Sequence, residues 1–129
     1  MAQQPLELIL ARNLISTIAL AAFLVDNAGT LVFFNTTAGS LIGKNFEEVG
    51  RAAPEVWMEE VGPFDELGKL IKVDSLPMTR SLREGLPANG RFRVRLQGEL
   101  ANIEASGLPL VGRYGVQGAI VVFWRAHES

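Results

Sequence analysis

Residues 22–35 read Ala22-Phe23-Leu24-Val25-Asp26-Asn27-Ala28-Gly29-Thr30-Leu31-Val32-Phe33-Phe34-Asn35, and this stretch decides the fold. Two apolar runs flank a short turn of Asp, Asn and Gly, the composition of a hairpin connection. The second run stops at Asn35, whose side-chain oxygen suits it to cap a helix by accepting from an orphan backbone N–H. A short helix then runs to Gly43, because glycine tolerates the positive φ of a C′ position.

N-terminal to the hairpin, residues 5 to about 20 carry a helical signal. Pro5 suits a first turn, and Leu6, Ile9, Leu10, Leu14, Ile15 and Ile18 recur at three- and four-residue spacing. The stripe is wide and aliphatic, so something must cover it: the domain's own sheet or the same helix of a second chain. Glu7, Arg12, Asn13, Ser16 and Thr17 interrupt the apolar run, and its unbroken part, 18–25, is far short of the roughly 20 residues of a membrane span. No basic n-region precedes it, which argues against a secretory signal.

C-terminal to Gly43 the pattern is helical but broken. Pro54 opens a turn carrying Val56, Trp57 and Val61, and Gly62-Pro63 stops it. Phe64, Leu67, Leu70 and Ile71 again repeat at helical spacing. Asp74 or Ser75 caps a helix over 76–84, ended by Gly85, with Arg80 and Arg83 in its later turns where cations suit the macrodipole. Three strands follow: 91–97, where Arg91, Arg93 and Arg95 alternate with Phe92, Val94 and Leu96 as the solvent face of a half-buried strand; 99–108; and 116–125. On the last, Gln117, Ala119, Val121 and Phe123 share one face and Val116, Gly118, Ile120, Val122 and Trp124 the other. Most of both faces is apolar, which predicts a central strand covered on both sides. The aliphatic N-terminal helix is the candidate cover. The expected architecture is α+β: a five-stranded antiparallel sheet with helices on one face and the N-terminal amphipathic helix on the other. The domain reading is 1–20 helix, 21–126 domain and 127–129 tail.

Composition sets limits on chemistry. The chain has 129 residues, one domain by length, and its 48% hydrophobic and 20% charged residues exclude disorder. A net charge of −2 gives no reason to expect nucleic acid. With no cysteine, there is no disulfide, thiolate nucleophile or Cys-ligated metal, in keeping with a reducing cytoplasm. The single histidine, His127, lies near the end, poorly placed for an acid–base relay. The acidic pairs Glu47-Glu48, Glu59-Glu60 and Asp65-Glu66 are adjacent in sequence, so on helices they diverge. No glycine-rich phosphate loop follows a strand and opens a helix. The residues point away from catalysis.

From about Ala22 to Phe123 this ordered set resembles a PAS domain. The opening hairpin, Asn cap and short helix are similar to the start of that family. The segment Leu76-Pro77-Met78-Thr79-Arg80-Ser81-Leu82-Arg83-Glu84-Gly85 resembles the longest helix of many bacterial members. Gly107-Leu108-Pro109-Leu110 and the run from Gly115 to Phe123 resemble the last two strands. Many members end in Asp-Ile-Thr, which couples the sheet to an effector helix. Here Arg125, Ala126 and His127 stand in those places, as in a domain cut at its boundary or a single-domain protein.

The resemblance implies a cytoplasmic bacterial sensory or signal-transduction module, homodimeric, not an enzyme, acting on an effector such as a kinase, cyclase or transcription regulator. By strand register it implies an apolar ligand pocket at Phe23, Val25, Val32, Phe34, Ile42, Met78, Leu82, Phe92, Val94, Val121 and Phe123, with room left by Ala101 and Ala105. The dimer or cover surface is expected at Leu6, Leu10, Leu14, Ile18, Ile120, Val122 and Trp124. Haem-binding members use a His on the long helix, which this chain lacks; Met78 and Met58 are the alternative iron ligands, and both read as core. Photoactive flavin and hydroxycinnamate members need a Cys. A non-covalent flavin or a fatty-acid-like ligand is what the resemblance leaves. A ligand-free protein–protein interaction module is the alternative, followed by a small α+β enzyme.

Overall fold

The computed structural model describes residues 5–72 and 76–126, so the candidate caps Asp74 and Ser75 and the lone His127 lie outside the described residues. The elements run α1 (Leu6–Ile15), β1 (Ala21–Asp26), β2 (Leu31–Phe34), α2 (Thr36–Ile42), α3 (Phe46–Val49), α4 (Pro54–Val61), α5 (Pro77–Glu84), β3 (Ala88–Leu96), β4 (Glu99–Gly112) and β5 (Gly115–Arg125). All strands join one open antiparallel sheet in the order β2-β1-β5-β4-β3. β5 is therefore central, as its two apolar faces require.

The opening hairpin closes on Asp26, whose carboxylate accepts from the Ala28 and Thr30 amides at 2.9 and 3.0 Å. Asn35 caps α2 by accepting from the Ala38 amide, and Gly43 ends it in the left-handed region at φ 90°. The same Asn35 does more than cap. It is buried, also accepts from the Ala22 amide at 3.1 Å, and donates through Nδ2 to the carbonyls of Ile15 at 2.9 Å and Leu20 at 2.8 Å. One amide thus joins the end of α1, the start of β1 and the start of α2.

Two core clusters lie on opposite sides of the sheet. The inner one, under α2–α5, includes Val25, Leu31, Phe34, Met58, Met78, Val94, Ile103, Ala105, Val121 and Phe123. The outer one is Leu8, Ala11 and Ile15 of α1 against Ala22, Leu24, Val32 and Ile120. The inner helix α5 approaches β4 closely at Gly107, where a Cβ would sit 2.9 Å from the Ser81 hydroxyl and 3.2 Å from the Pro77 carbonyl. Each sheet edge carries one isolated bridge from the connecting segment. Ala52 exchanges backbone bonds with Leu31 on β2, and Phe64 does so with Arg93 on β3.

Four expectations change here. The N-terminal helix stops at Ile15, not near residue 20; Ser16 and Thr17 hydroxyls bond back to the Asn13 and Leu14 carbonyls. Its sheet-facing side is Leu8, Ala11 and Ile15. Leu6, Leu10 and Leu14 point away from the sheet at 63, 57 and 58% exposure, while Ile18 packs partly against the outer cluster. Trp124 stays outside that cluster, so α1 covers Ile120 and Val122 but not Trp124. Residues 64–71 form a turn rather than a helix, because the Asp65 carboxylate captures the Leu67 and Lys69 amides and Phe64 bridges Leu70. Among the described residues, no helix is long and apolar enough to cross a membrane.

Candidate ligand-binding site

The inner face of the sheet does not close tightly on its helices. A cavity of about 600 Å³ lies between β1, β3, β4 and β5 on one side and the segment from α2 to α5 on the other, within the ~300–1,000 Å³ typical of small-molecule sites. Its buried walls include Val121 and Phe123 of β5, Ile103 and Ala105 of β4, Phe34 and Met78. Trp57 and Val61 of α4 and Pro63 contribute from the connecting segment. Trp57 and Phe123 flank Phe23, with ring centroids 5.7 and 6.1 Å from it, both tilted.

Eight of the residues expected at a pocket line this cavity: Phe23, Phe34, Ile42, Met78, Phe92, Val94, Val121 and Phe123. Three do not. Val25 and Leu82 pack in or against the inner core without reaching the cavity, and Val32 faces the opposite side, under α1. A bulge causes the Val32 displacement. Leu24 pairs with Phe33 but Val25 with Leu31, so Val32 is an extra residue in β2 and the two-residue alternation breaks there. Leu31 and Phe34, three apart, consequently share the inner face. Of the two small residues expected to leave room, Ala105 lines the cavity and Ala101 packs beside the core.

Sequence reasoning passed over the connecting segment, which supplies Val49, Ala52, Trp57, Val61 and Pro63. The Pro54 start and the Val56–Trp57–Val61 pattern were the available signal, but nothing local says which face of α4 turns inward. The segment also supplies the cavity's charged side chains, Lys44, Glu48 and Arg51. Arg51 is held 3.6 Å from the Asp26 carboxylate, and Glu48 accepts from Asn45 at 2.9 Å. Among the described residues, none that lines the cavity is an Asn, Gln, Ser, Thr, Tyr, His or Asp, so these offer almost no side-chain hydrogen bonding to the interior. The exception is the Trp57 indole N–H, which is buried with no acceptor among the described residues, a situation that costs about 1–3 kcal/mol.

Among the described residues no group of three His, Cys, Asp or Glu could hold a metal. Of the two methionines considered as iron ligands, Met78 sits among the cavity's apolar wall residues and Met58 is buried in the core.

No sequence-family model and no curated protein matches the chain. Solved structures do. The PAS domain of Bordetella pertussis BvgS is similar over 95% of this chain and 87% of its own, with 17% identity and a TM-score of 0.64. The PAS domain of nitrogen regulation protein NR(II) from Vibrio parahaemolyticus is similar over 91% and 98%, at 11% identity and TM-score 0.65. The PAS domain of an HTR-like protein from Haloarcula marismortui is similar over 92% and 90%, at 14% identity and TM-score 0.61. At such identities the likeness carries the fold alone. This chain is a domain of the PAS fold.

Proposed function

We propose that the domain is a cytoplasmic sensory or signal-transduction module whose inner cavity holds a small apolar ligand. The observation that carries this reading is the partly open cavity of about 600 Å³ with apolar walls, where a domain serving only to hold partners together would fill the space with side chains. The route from cavity to outer surface is short. Val121 and Phe123 line the cavity, while Ile120 and Val122, their neighbours on β5, contact α1 on the opposite face. A ligand that displaces β5 shifts the seat of α1, and an effector such as a kinase, cyclase or transcription regulator reads that shift. Mass spectrometry of freshly purified protein, native against denatured, tests the reading. A mass beyond the polypeptide is expected. If the bare chain mass is found, and no apolar probe binds at high micromolar concentration, the sensor reading fails.

The outward side of α1 supports a second element. Leu6, Ile9, Leu10 and Leu14 are all exposed although the opposite side is buried. A helix apolar on two opposite sides has a second side to bury, so we assign this stripe to a homodimer. A monomer by light scattering at micromolar concentration would sink that assignment. A dimer with a permanently empty cavity would favour the plain interaction module.

A further inference from the structure

We infer that the cavity exchanges its ligand through a gate at residues 50–53, latched by the Asp26–Arg51 ion pair and the Leu31–Ala52 bridge and hinged at Gly62-Pro63-Phe64. The inference rests on the reading that the cavity holds a ligand, and it adds where that ligand passes and what sets the rate. The connecting segment crosses the inner face of the sheet as a strap. Ala52 fastens it to β2 at one edge and Phe64 to β3 at the other, and α4 between them brings Trp57 and Val61 to the cavity.

The two fastenings differ. At the β3 end Gly62, Pro63 and Phe64 are consecutive buried residues. Phe64 exchanges backbone bonds of 2.7 and 3.0 Å with Arg93, the Arg95 guanidinium lies 4.9 Å from its ring centroid, and the Ile71 amide donates to the Pro63 carbonyl at 2.9 Å. At the β2 end Ala52 is buried, but Arg51 and Ala53 on either side of it are exposed. There α4 starts at Ala53 without a side-chain cap, α3 before it has no buried residue, and Gly50 (φ 68°) has nothing within 4 Å of where a Cβ would sit. The exposed lining residues Glu48, Arg51 and Val56 mark the cavity mouth on this same side. Opening there widens a mouth that already exists and leaves the buried end as the hinge. The latch across it is Asp26, whose Oδ1 accepts from the Ala28 and Thr30 amides while Oδ2 faces Arg51 at 3.6 Å. The Arg51 side chain is 55% exposed, so salt screens this latch.

Uptake of N-phenyl-1-naphthylamine, an uncharged apolar fluorophore, followed by stopped flow, tests the gate. Asp26→Asn keeps an acceptor for the hairpin amides and removes the charge. Association and dissociation should both quicken by up to about fivefold, with Kd within about twofold of the wild type. Raising salt should quicken exchange in the wild type and not in Asp26→Asn. Leu31 and Ala52 exchange both backbone bonds, a pairing that sets Cα atoms about 5.5 Å apart, within disulfide reach. In Leu31→Cys with Ala52→Cys, whose thiols are the only ones in the chain, oxidation should slow exchange by about tenfold or more, and reduction should restore it. Comparing two redox states of one protein holds the cavity lining constant. Equal exchange rates in the oxidised and reduced forms, or an Asp26→Asn protein that exchanges at the wild-type rate, overturn the gate while the cavity reading stands. Wild-type protein that takes up no fluorophore at high micromolar concentration overturns the cavity reading and the gate with it.

Discussion

Replacing Asn35 by alanine removes four hydrogen bonds at once, and the structure says how severe that should be. Oδ1 accepts from the Ala38 amide at 3.0 Å and the Ala22 amide at 3.1 Å; Nδ2 donates to the Ile15 and Leu20 carbonyls. Loss of the helix cap alone costs about 0.5–2 kcal/mol. The Ala22 amide then becomes a buried donor without a partner, at about 1–3 kcal/mol, and the two carbonyls lose the group that joins α1 to the hairpin. We expect a total near 3–5 kcal/mol, a large part of a typical domain's stability. Urea unfolding should show a lowered midpoint with an unchanged slope. A loss below about 1 kcal/mol would refute the hub. Asn35→Asp separates the two halves of the network. It keeps the acceptor for both amides but turns a carboxylate oxygen toward the Ile15 and Leu20 carbonyls. The charged form is the one disfavoured in the fold, so the folded state holds the carboxyl proton more tightly than the unfolded chain. The penalty is absent below the ordinary carboxyl pKa of about 3.9 and grows as pH rises through and above it. The stability gap to the wild type should narrow as pH falls; a gap independent of pH would contradict the assigned donor geometry.

Four further outcomes are expected. Gly118→Ala should destabilise by about 2–3 kcal/mol or more, because its Cβ would strike the Val25 carbonyl oxygen and come within 2.7 Å of Leu8 Cδ2; near wild-type thermal stability would mean β1 and β5 lie further apart. Ala105→Leu should grow into the cavity with a change of less than about 1 kcal/mol in either direction while reducing the space left for an apolar ligand; a loss above about 2 kcal/mol by urea unfolding would mean the space is already filled. Removing residues 1–20 should expose Leu24, Val32, Ile120 and Val122 and cause aggregation on size exclusion; a soluble product of equal stability would disprove the cover. Leu10→Arg with Leu14→Arg should yield monomer by light scattering at unchanged melting temperature, since both side chains are exposed in the protomer; a dimer that persists would place the contact elsewhere.

The hairpin, the Asn35 cap, the Gly43 and Gly85 stops and the central β5 were legible because each rests on local chemistry or a two-residue period. What escaped required knowledge of a neighbour. Val32 reads as pocket by alternation until a bulge in β2 moves it to the other face. The α1 stripe is apolar on two sides, so periodicity alone picks neither Leu8–Ala11–Ile15 nor Leu6–Leu10–Leu14 as the seated face. Residues 64–71 carry helical spacing, yet Asp65 takes two amides that a helix would need elsewhere. Asn35 was visible as a cap but not as a donor, because Ile15 and Leu20 come to it only after the chain has turned back.

The partnership of β1 with β5 also sets the tempo of folding. Ala22 pairs with Val122, and Leu24 with Ile120, across most of the chain, whereas β3–β4 and β4–β5 close through short turns. Such long-range closure slows the search for the native topology. During synthesis the N-terminal hairpin and α1 leave the ribosome first and wait, their apolar sides unsheltered, until the final strand arrives to sit between β1 and β4. The sheet assembles from its last piece inward, and the early segment is where a chaperone would find its grip.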